Sequence, residues 1–264
     1  MNPYGLLDVE GARLEYRWIP PTREGAPALV FLHEGLGCVS LWRDFPDRLA
    51  AATGWGALVY SRAGYAGSTP VPLPRPLDYM QREGREVLGP VMDAAGVTDA
   101  VLVGHSDGGS IALVHAGAAD PHRRVRAVIT EAPHVFCEEL TVRSIEQARE
   151  AYVTGDLRAR LARHHRENVD CAFWGWNRAW LDPGFLRWNI EEYLPGIRVP
   201  VQVIQGRDDP YGTEEQIRRI RRGVPGPVEA VLLDACGHAP HREQEPATLE
   251  AMASFLARVV PPVP

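Results

Sequence analysis

Val101-Leu102-Val103-Gly104-His105-Ser106-Asp107-Gly108-Gly109-Ser110-Ile111-Ala112-Leu113 reads as a short buried strand, an abrupt glycine turn and the opening of a helix, with Ser106 at the apex. The pattern G-x-S-x-G in that setting is a nucleophile elbow. The serine is held in a strained backbone conformation, and any side chain two positions away would collide with the neighbouring strand or helix. Ser106 is thereby pushed into a cleft. A serine that merely caps the following helix would leave the two flanking glycines without a reason.

Working outward, short apolar strands alternate with helical patterns. Leu6–Val9 and Ala12–Trp18 form an opening hairpin around Glu10-Gly11. Pro27–Leu32 is a continuous apolar run, as expected of a strand buried on both faces. Leu41–Thr53 carries apolar residues at helical spacing, Gly56–Tyr60 is a strand, a helix runs from about Leu77 to Ala95, and Val125–Thr130 is a further strand. After a gap the alternation resumes with a strand over Pro200–Gln205, a helix over Thr213–Arg222, a strand over Val228–Leu233 and a helix from about Pro246 to Val259. The alternation predicts an α/β fold, a mostly parallel sheet covered on both faces.

In the gap, from about His134 to Arg198, no buried strand is recognisable. Amphipathic segments over Glu138–Thr154 and Asp156–Glu167 lead into a stretch holding Trp174, Trp176, Trp180 and Trp188, four of the seven tryptophans. A small helical subdomain that docks through its indoles is one reading. A lid whose indoles wall an apolar or aromatic pocket is the other, and the two are compatible.

Size and charge narrow the partners. The 264 residues can bury a sizeable core as one α/β domain, and 28 basic against 34 acidic residues leave a net charge of −6. The one basic block, Arg218-Arg219-Ile220-Arg221-Arg222, fits the solvent face and end of a helix, so nucleic acid is not expected. Cys38, Cys137, Cys171 and Cys236 lie far apart, without disulfide or metal spacing. The N-terminal residues lack a basic region followed by an apolar one, and no apolar run approaches a membrane span. The expectation is a cytoplasmic monomer or homodimer acting on a small molecule, with no cofactor and no membrane partner.

A serine hydroxyl needs a base within reach and a third group to orient that base. Ser106, Asp209 and His238 occur in the order Ser, Asp, His that such sheets use, and each follows the carboxyl end of a strand, where ligands bind. Asp209 is preferred to Asp208, which suits a turn. His238, after a Cys-Gly turn, is preferred to His241. The spacings His238-x-x-His241 and His164-His165 lack a third ligand, so no metal site is expected. An oxyanion formed at an attacked carbonyl would be met by the backbone N–H of Asp107 and by one from the loop His33-Glu34-Gly35-Leu36-Gly37. His105 and His33 are expected to be packed, hydrogen-bonded neighbours of these elements.

These residues resemble the α/β-hydrolase superfamily over nearly the whole chain. The resemblance rests on His33–Gly37, on Ser61-Arg62-Ala63-Gly64-Tyr65-Ala66-Gly67-Ser68, on the elbow at 104–108, on Gly206–Asp209 and on Gly237-His238. It implies an eight-stranded, mostly parallel sheet with a helical cap inserted after strand six, hence a core of residues 1–133 and 199–264 and a cap of residues 134–198. Capped carboxylesterases, lactonases and C–C hydrolases of meta-cleavage products are the nearest members. They imply hydrolysis of an ester, thioester or lactone, or of a C–C bond beside a ketone, through an acyl-enzyme. Acyl transfer, or ligand reception without catalysis, is the alternative. Ser106 argues against members with an aspartate nucleophile. The chain departs from the pattern in having Glu34 where glycine follows the histidine. This leaves Gly35 and Leu36 as rival oxyanion donors and makes Glu34 either a selector of substrate, an acid behind the site, or a loop residue bonded to backbone.

Overall fold

A computed structural model describes residues 1–118 and 124–260. Eight strands form one sheet: β1 (Tyr4–Val9), β2 (Ala12–Ile19), β3 (Ala28–Leu32), β4 (Gly56–Tyr60), β5 (Ala100–His105), β6 (Val125–Glu131), β7 (Val201–Gly206) and β8 (Val228–Leu233), in the order β1-β2-β4-β3-β5-β6-β7-β8. β2 pairs antiparallel with both β1 and β4, and every other pair is parallel. The sheet is therefore the mostly parallel one expected.

β5 is central, and all six of its residues are buried. Its side chains alternate between two cores, as a period of two requires. Val101 and Val103 meet Phe31, Phe45, Leu49 and Phe255 on one face. Leu102 meets Leu88, Ile111 and Leu113 on the other. The first face is covered by α1 (Phe45–Thr53) and by the C-terminal helix at Glu245–Val259.

Two helical expectations are modified. The Leu41–Thr53 segment splits into a 3₁₀ turn, Val39–Trp42, and α1, because Arg43 takes a positive φ of 54° and Pro46 favours a fresh helix start. The Leu77–Ala95 segment is α2 (Tyr79–Arg82), a wide π turn over Glu83–Val87, and α3 (Leu88–Ala94). Pro90, inside α3, lacks the N–H that would close a regular turn onto Glu86.

After the elbow, α4 (Asp107–Gly117) packs on the sheet. Between β6 and β7 come α5 (Glu139–Val153), α6 (Leu157–His165), α7 (Val169–Trp180) and short 3₁₀ turns, with one isolated bridge, Phe136–Asn189. The last helices are α8 (Glu214–Gly223), α9 (Pro240–Glu243) and α10 (Glu245–Val259). On α8 the basic block is a surface: Arg218, Arg219 and Arg222 all reach Glu215. None of the described helices is long and apolar enough to cross a membrane.

The elbow glycines have a measurable cause. A Cβ on Gly104 would lie 2.3 Å from the Gly108 carbonyl oxygen, and one on Gly108 would lie 2.0 Å from that of Leu32. Backbone cannot withdraw as a flexible side chain can, so overpacking here should be costly. Gly108→Ala is expected to lower the thermal midpoint by about 5 °C or more; an unchanged melting curve would show that the turn has slack.

Candidate active site

Each residue of the expected triad is delivered by a strand end. Ser106 follows β5 with φ 52° and ψ −117°, the strained geometry of an elbow. Asp209 follows β7, and its loop is fixed when Oδ2 accepts from Gln205 Nε2 (2.6 Å) and Oδ1 from the Tyr211 N–H (2.8 Å). His238 follows β8. Its loop crosses directly over Gly206, where a Cβ would meet the Cys236 and Gly237 carbonyl oxygens at 2.2 Å.

These three side chains form one hydrogen-bonded chain. His238 Nδ1 lies 2.9 Å from both carboxylate oxygens of Asp209, so this nitrogen carries the proton, and Nε2 accepts from the Ser106 hydroxyl at 2.9 Å. Burial would raise the Asp209 pKa, but His238 and the Tyr211 N–H together hold it below the usual carboxylate value. Asp208 is exposed and its N–H caps the Cys236 carbonyl (2.9 Å), a turn role. His241, the rival base, is turned away: its Nδ1 is 2.9 Å from Glu131 Oε2.

The loop after β3 is organised from beneath. His33 Nε2 accepts from the Arg62 N–H (3.0 Å), so its Nδ1–H donates to the Glu34 carbonyl (2.7 Å). Burial and the Arg62 charge keep this imidazole neutral, well below its ordinary pKa. Arg62 Nη2 (3.0 Å) and the Gly37 N–H (3.1 Å) bind the same carbonyl. A trans peptide points its N–H opposite its C=O, so the Gly35 N–H faces away from these three donors, and Gly35 lines the cavity beside Ser106. Among the described hydrogen bonds, neither the Gly35 nor the Asp107 N–H has an acceptor. Glycine at 35 is enforced by Trp176, whose indole Nε1 lies 2.2 Å from where a Cβ would stand.

The cavity at Ser106 has a volume of about 220 Å³ and is walled by Ile145 of α5, Trp176 and Trp180 of α7, His134, Tyr211 and Glu34. Residues 176 and 180 share a helix face at i, i+4 spacing. The other two indoles do not line it. Trp174 packs edge-on to Tyr152 and Phe173, and Trp188 stacks on Phe185 while donating to Gln81 Oε1 (2.9 Å). For Trp174 and Trp188 the pocket expectation is therefore corrected to docking: Trp174 projects from another face of α7 than Trp176 and Trp180, and Trp188 lies beyond α7, after the 3₁₀ turn Pro183–Arg187. A larger depression, about 470 Å³ and bordered by Trp55 and Arg126, lies at the opposite end of the strands, away from Ser106.

Several contacts around the site carry no signal in the sequence. Asp107 is completely buried, and its carboxylate accepts from the Tyr79 hydroxyl (2.5 Å) with Arg62 3.7 Å away; Trp180 Nε1 donates to the same hydroxyl (3.0 Å). The cavity wall is thus tied to the residue behind the elbow. His134 is pushed down to about 3 by burial and by the neighbouring His238, and stays neutral. His165 accepts from the Ala66 N–H (3.2 Å) and donates to the Leu36 carbonyl (2.9 Å), anchoring α6 to the loop after β3. Among the described residues no cluster of three His, Cys, Asp or Glu side chains is arranged to hold a metal ion.

A family model described as the alpha/beta hydrolase family matches residues 29–251. The chain belongs to this family. No curated protein gives a significant match. Among solved structures, this alpha/beta hydrolase is similar to an enol-lactonase from Burkholderia xenovorans LB400 (21% identity, 97% of this chain and 100% of that one, TM-score 0.72). It is also similar to a proline iminopeptidase from Mycobacterium smegmatis (18%, 97% and 98%, 0.73). A carboxylesterase from Bacillus subtilis is a third (23%, 96% and 90%, 0.69). Identities this low speak to the fold.

Removing the shared hydroxyl isolates the Trp180–Tyr79–Asp107 chain. Tyr79→Phe leaves a buried carboxylate and an indole N–H without their partner and is expected to cost about 1–3 kcal/mol of stability. Urea unfolding checks this, and an unchanged midpoint would contradict it.

Proposed function

We propose that the protein is a serine hydrolase cleaving a carboxylic ester, thioester or lactone of a small apolar or aromatic substrate. The observation that carries this reading is the continuous chain Ser106 Oγ to His238 Nε2, and His238 Nδ1 to Asp209, with each step at 2.9 Å. It opens on a cavity that also receives Gly35 and Asp107.

In the proposed reaction Ser106 Oγ attacks the carbonyl carbon while its proton passes to His238 Nε2, and the Asp209 carboxylate stabilises the imidazolium that forms. The negative charge on the carbonyl oxygen is met by the N–H groups of Gly35 and Asp107; the orientation of the Glu34–Gly35 peptide favours Gly35 over Leu36. The imidazolium returns its proton to the leaving oxygen or sulfur. His238 then takes a proton from water, which attacks the acyl-enzyme and frees the acid.

Residues 134–198 act as the cap in this reading, supplying Ile145, Trp176 and Trp180 as the acyl-facing wall. A cavity of about 220 Å³ suits a short acyl chain or a single ring. The lactonase and carboxylesterase described above are compatible with this substrate class.

A fluorophosphonate is expected to label Ser106, and Ser106→Ala to abolish both labelling and turnover of p-nitrophenyl esters, thioesters and lactones. Asp209→Asn should lower kcat by about four orders of magnitude. Ile145→Ala should shift preference toward longer acyl chains. Undiminished turnover in Ser106→Ala would refute the assignment.

A further inference from the structure

Behind the Ser106–His238–Asp209 chain lies a second set of titratable side chains that the reaction above does not use. His105 ends β5 and is almost entirely buried. Its Nε2–H donates to the backbone carbonyl of His238 at 2.7 Å. Its Nδ1 makes no hydrogen bond among the described residues and faces Glu34 Oε2 at 3.5 Å, ion-pair range. Glu34 belongs to the loop that carries Gly35, and its carboxylate is folded over Gly37, where a Cβ would stand 2.1 Å from Oε2.

Every element packed on His105 contributes to its surroundings. Glu34 comes from the loop after β3, Glu131 from β6, His134 from the segment after β6, His238 from the loop after β8 and His241 from α9. The Glu131 carboxylate accepts from both the N–H (2.8 Å) and Nδ1 (2.9 Å) of His241, while its backbone carbonyl accepts from the Ser106 N–H (2.8 Å). The His105 and His241 rings are 5.0 Å apart.

We propose that His105, as an imidazolium, is a positioning residue: it ties the loop bearing His238 to the loop bearing Gly35 through Glu34, and so sets the spacing between base and oxyanion donor. This rests on the hydrolase reading. Only an imidazolium carries the positive charge that attracts the Glu34 carboxylate at Nδ1 while its Nε2–H still donates to the His238 carbonyl, and the two loops it joins come from opposite sides of β5. An acid at position 34, where the resembled pattern has glycine, acquires a reason.

The protonation state agrees with the geometry. Burial alone would strip the proton, but the Glu34 carboxylate and, behind it, that of Glu131 outweigh burial and raise the His105 pKa to about 9. Burial opposes ionisation of Glu34 also, yet His105 holds that carboxyl well below its ordinary value. Because the folded pKa lies above the ordinary 6.5, the tie is complete at neutral pH and is lost as pH rises through about 9. Above that, the Nδ1 lone pair faces a carboxylate and the Glu34 end lets go, while the bond to His238 survives.

The test is the rate at which a fluorophosphonate labels Ser106, followed from pH 6 to 10.5 in the wild type, Glu34→Gln and His105→Gln, with a melting curve at each pH. A serine–imidazole pair acting alone gives a rate that rises as the base is freed of its proton and then stays level. The wild type should instead fall severalfold above about pH 9, the range set by His105. Both variants should show a plateau lowered by about tenfold with no fall near pH 9, because neither retains the imidazolium–carboxylate contact. A residue of merely structural importance would scale the rate equally at all pH values. A level wild-type profile, or a fall near pH 9 that persists in either folded variant, overturns the proposal. Glu34→Gln, isosteric and at the cavity wall, suffices if His105→Gln does not fold. Absence of labelling in the wild type at every pH is the separate failure of the hydrolase reading.

Discussion

Ser106 stands at a positive φ that a serine adopts only under compulsion, at a cost of about 1–3 kcal/mol. The surrounding structure maintains it. The strand before it is hydrogen-bonded on both sides, to β3 and β6. The helix after it lies so close that Gly108 has no room for a Cβ beside the Leu32 backbone. The Ser106 N–H is held by Glu131 and its C=O by the N–H of Ser110. With both flanks and both backbone groups fixed, the one freedom left to the residue is the direction of its hydroxyl, and that direction is toward His238.

From that constraint the rest of the site follows by strand order. Parallel neighbours end at the same edge of the sheet, so the loops after β3, β5, β7 and β8 meet there although their sequence positions span residues 33 to 238. Polar contacts then fix each loop from behind: His33 and Arg62 under the Glu34 carbonyl, Gln205 and the Tyr211 N–H on Asp209, His105 on the His238 carbonyl. The helical segment over this edge is joined to it through His165, and through Asn168, whose side chain donates to the Ala66 and Ser68 carbonyls at 3.0 and 2.7 Å. Its apolar side chains Ile145, Trp176 and Trp180 wall the cavity and lower the local polarity, which strengthens hydrogen bonds made there.

The parallel strands β3 to β8 were legible in the sequence because such strands are short apolar runs with turn residues at their ends, and β1 and β2 were legible by alternation around the Glu10-Gly11 turn. The elbow was legible because its glycines answer a local steric demand. Helix interruptions at Arg43 and over Glu83–Val87 were not, since Pro46 and Pro90 signal that a regular helix is disturbed but not which residue takes the positive φ or the wide turn. The four clustered tryptophans could not be divided by sequence; the phase of α7 relative to the cleft separates Trp174 from Trp176 and Trp180, and the course of the chain beyond α7 places Trp188. Likewise Glu131, Tyr79, His134 and Arg62 owe their importance to tertiary neighbours tens of residues away. Glu34 was conspicuous as a departure, but its partner, His105, becomes visible only when β3 and β5 are laid side by side.

The account stands on one convergence, of a hydroxyl, an imidazole and two amide N–H groups about a single reacting carbon. A crystal structure of the protein after reaction with a fluorophosphonate examines it directly. The account requires phosphorus bonded to Ser106 Oγ, with its free oxygen within hydrogen-bond distance of both the Gly35 and Asp107 nitrogens and His238 still on Asp209. A phosphonyl group on another residue, or one on Ser106 whose oxygen turns away from both nitrogens, would contradict it.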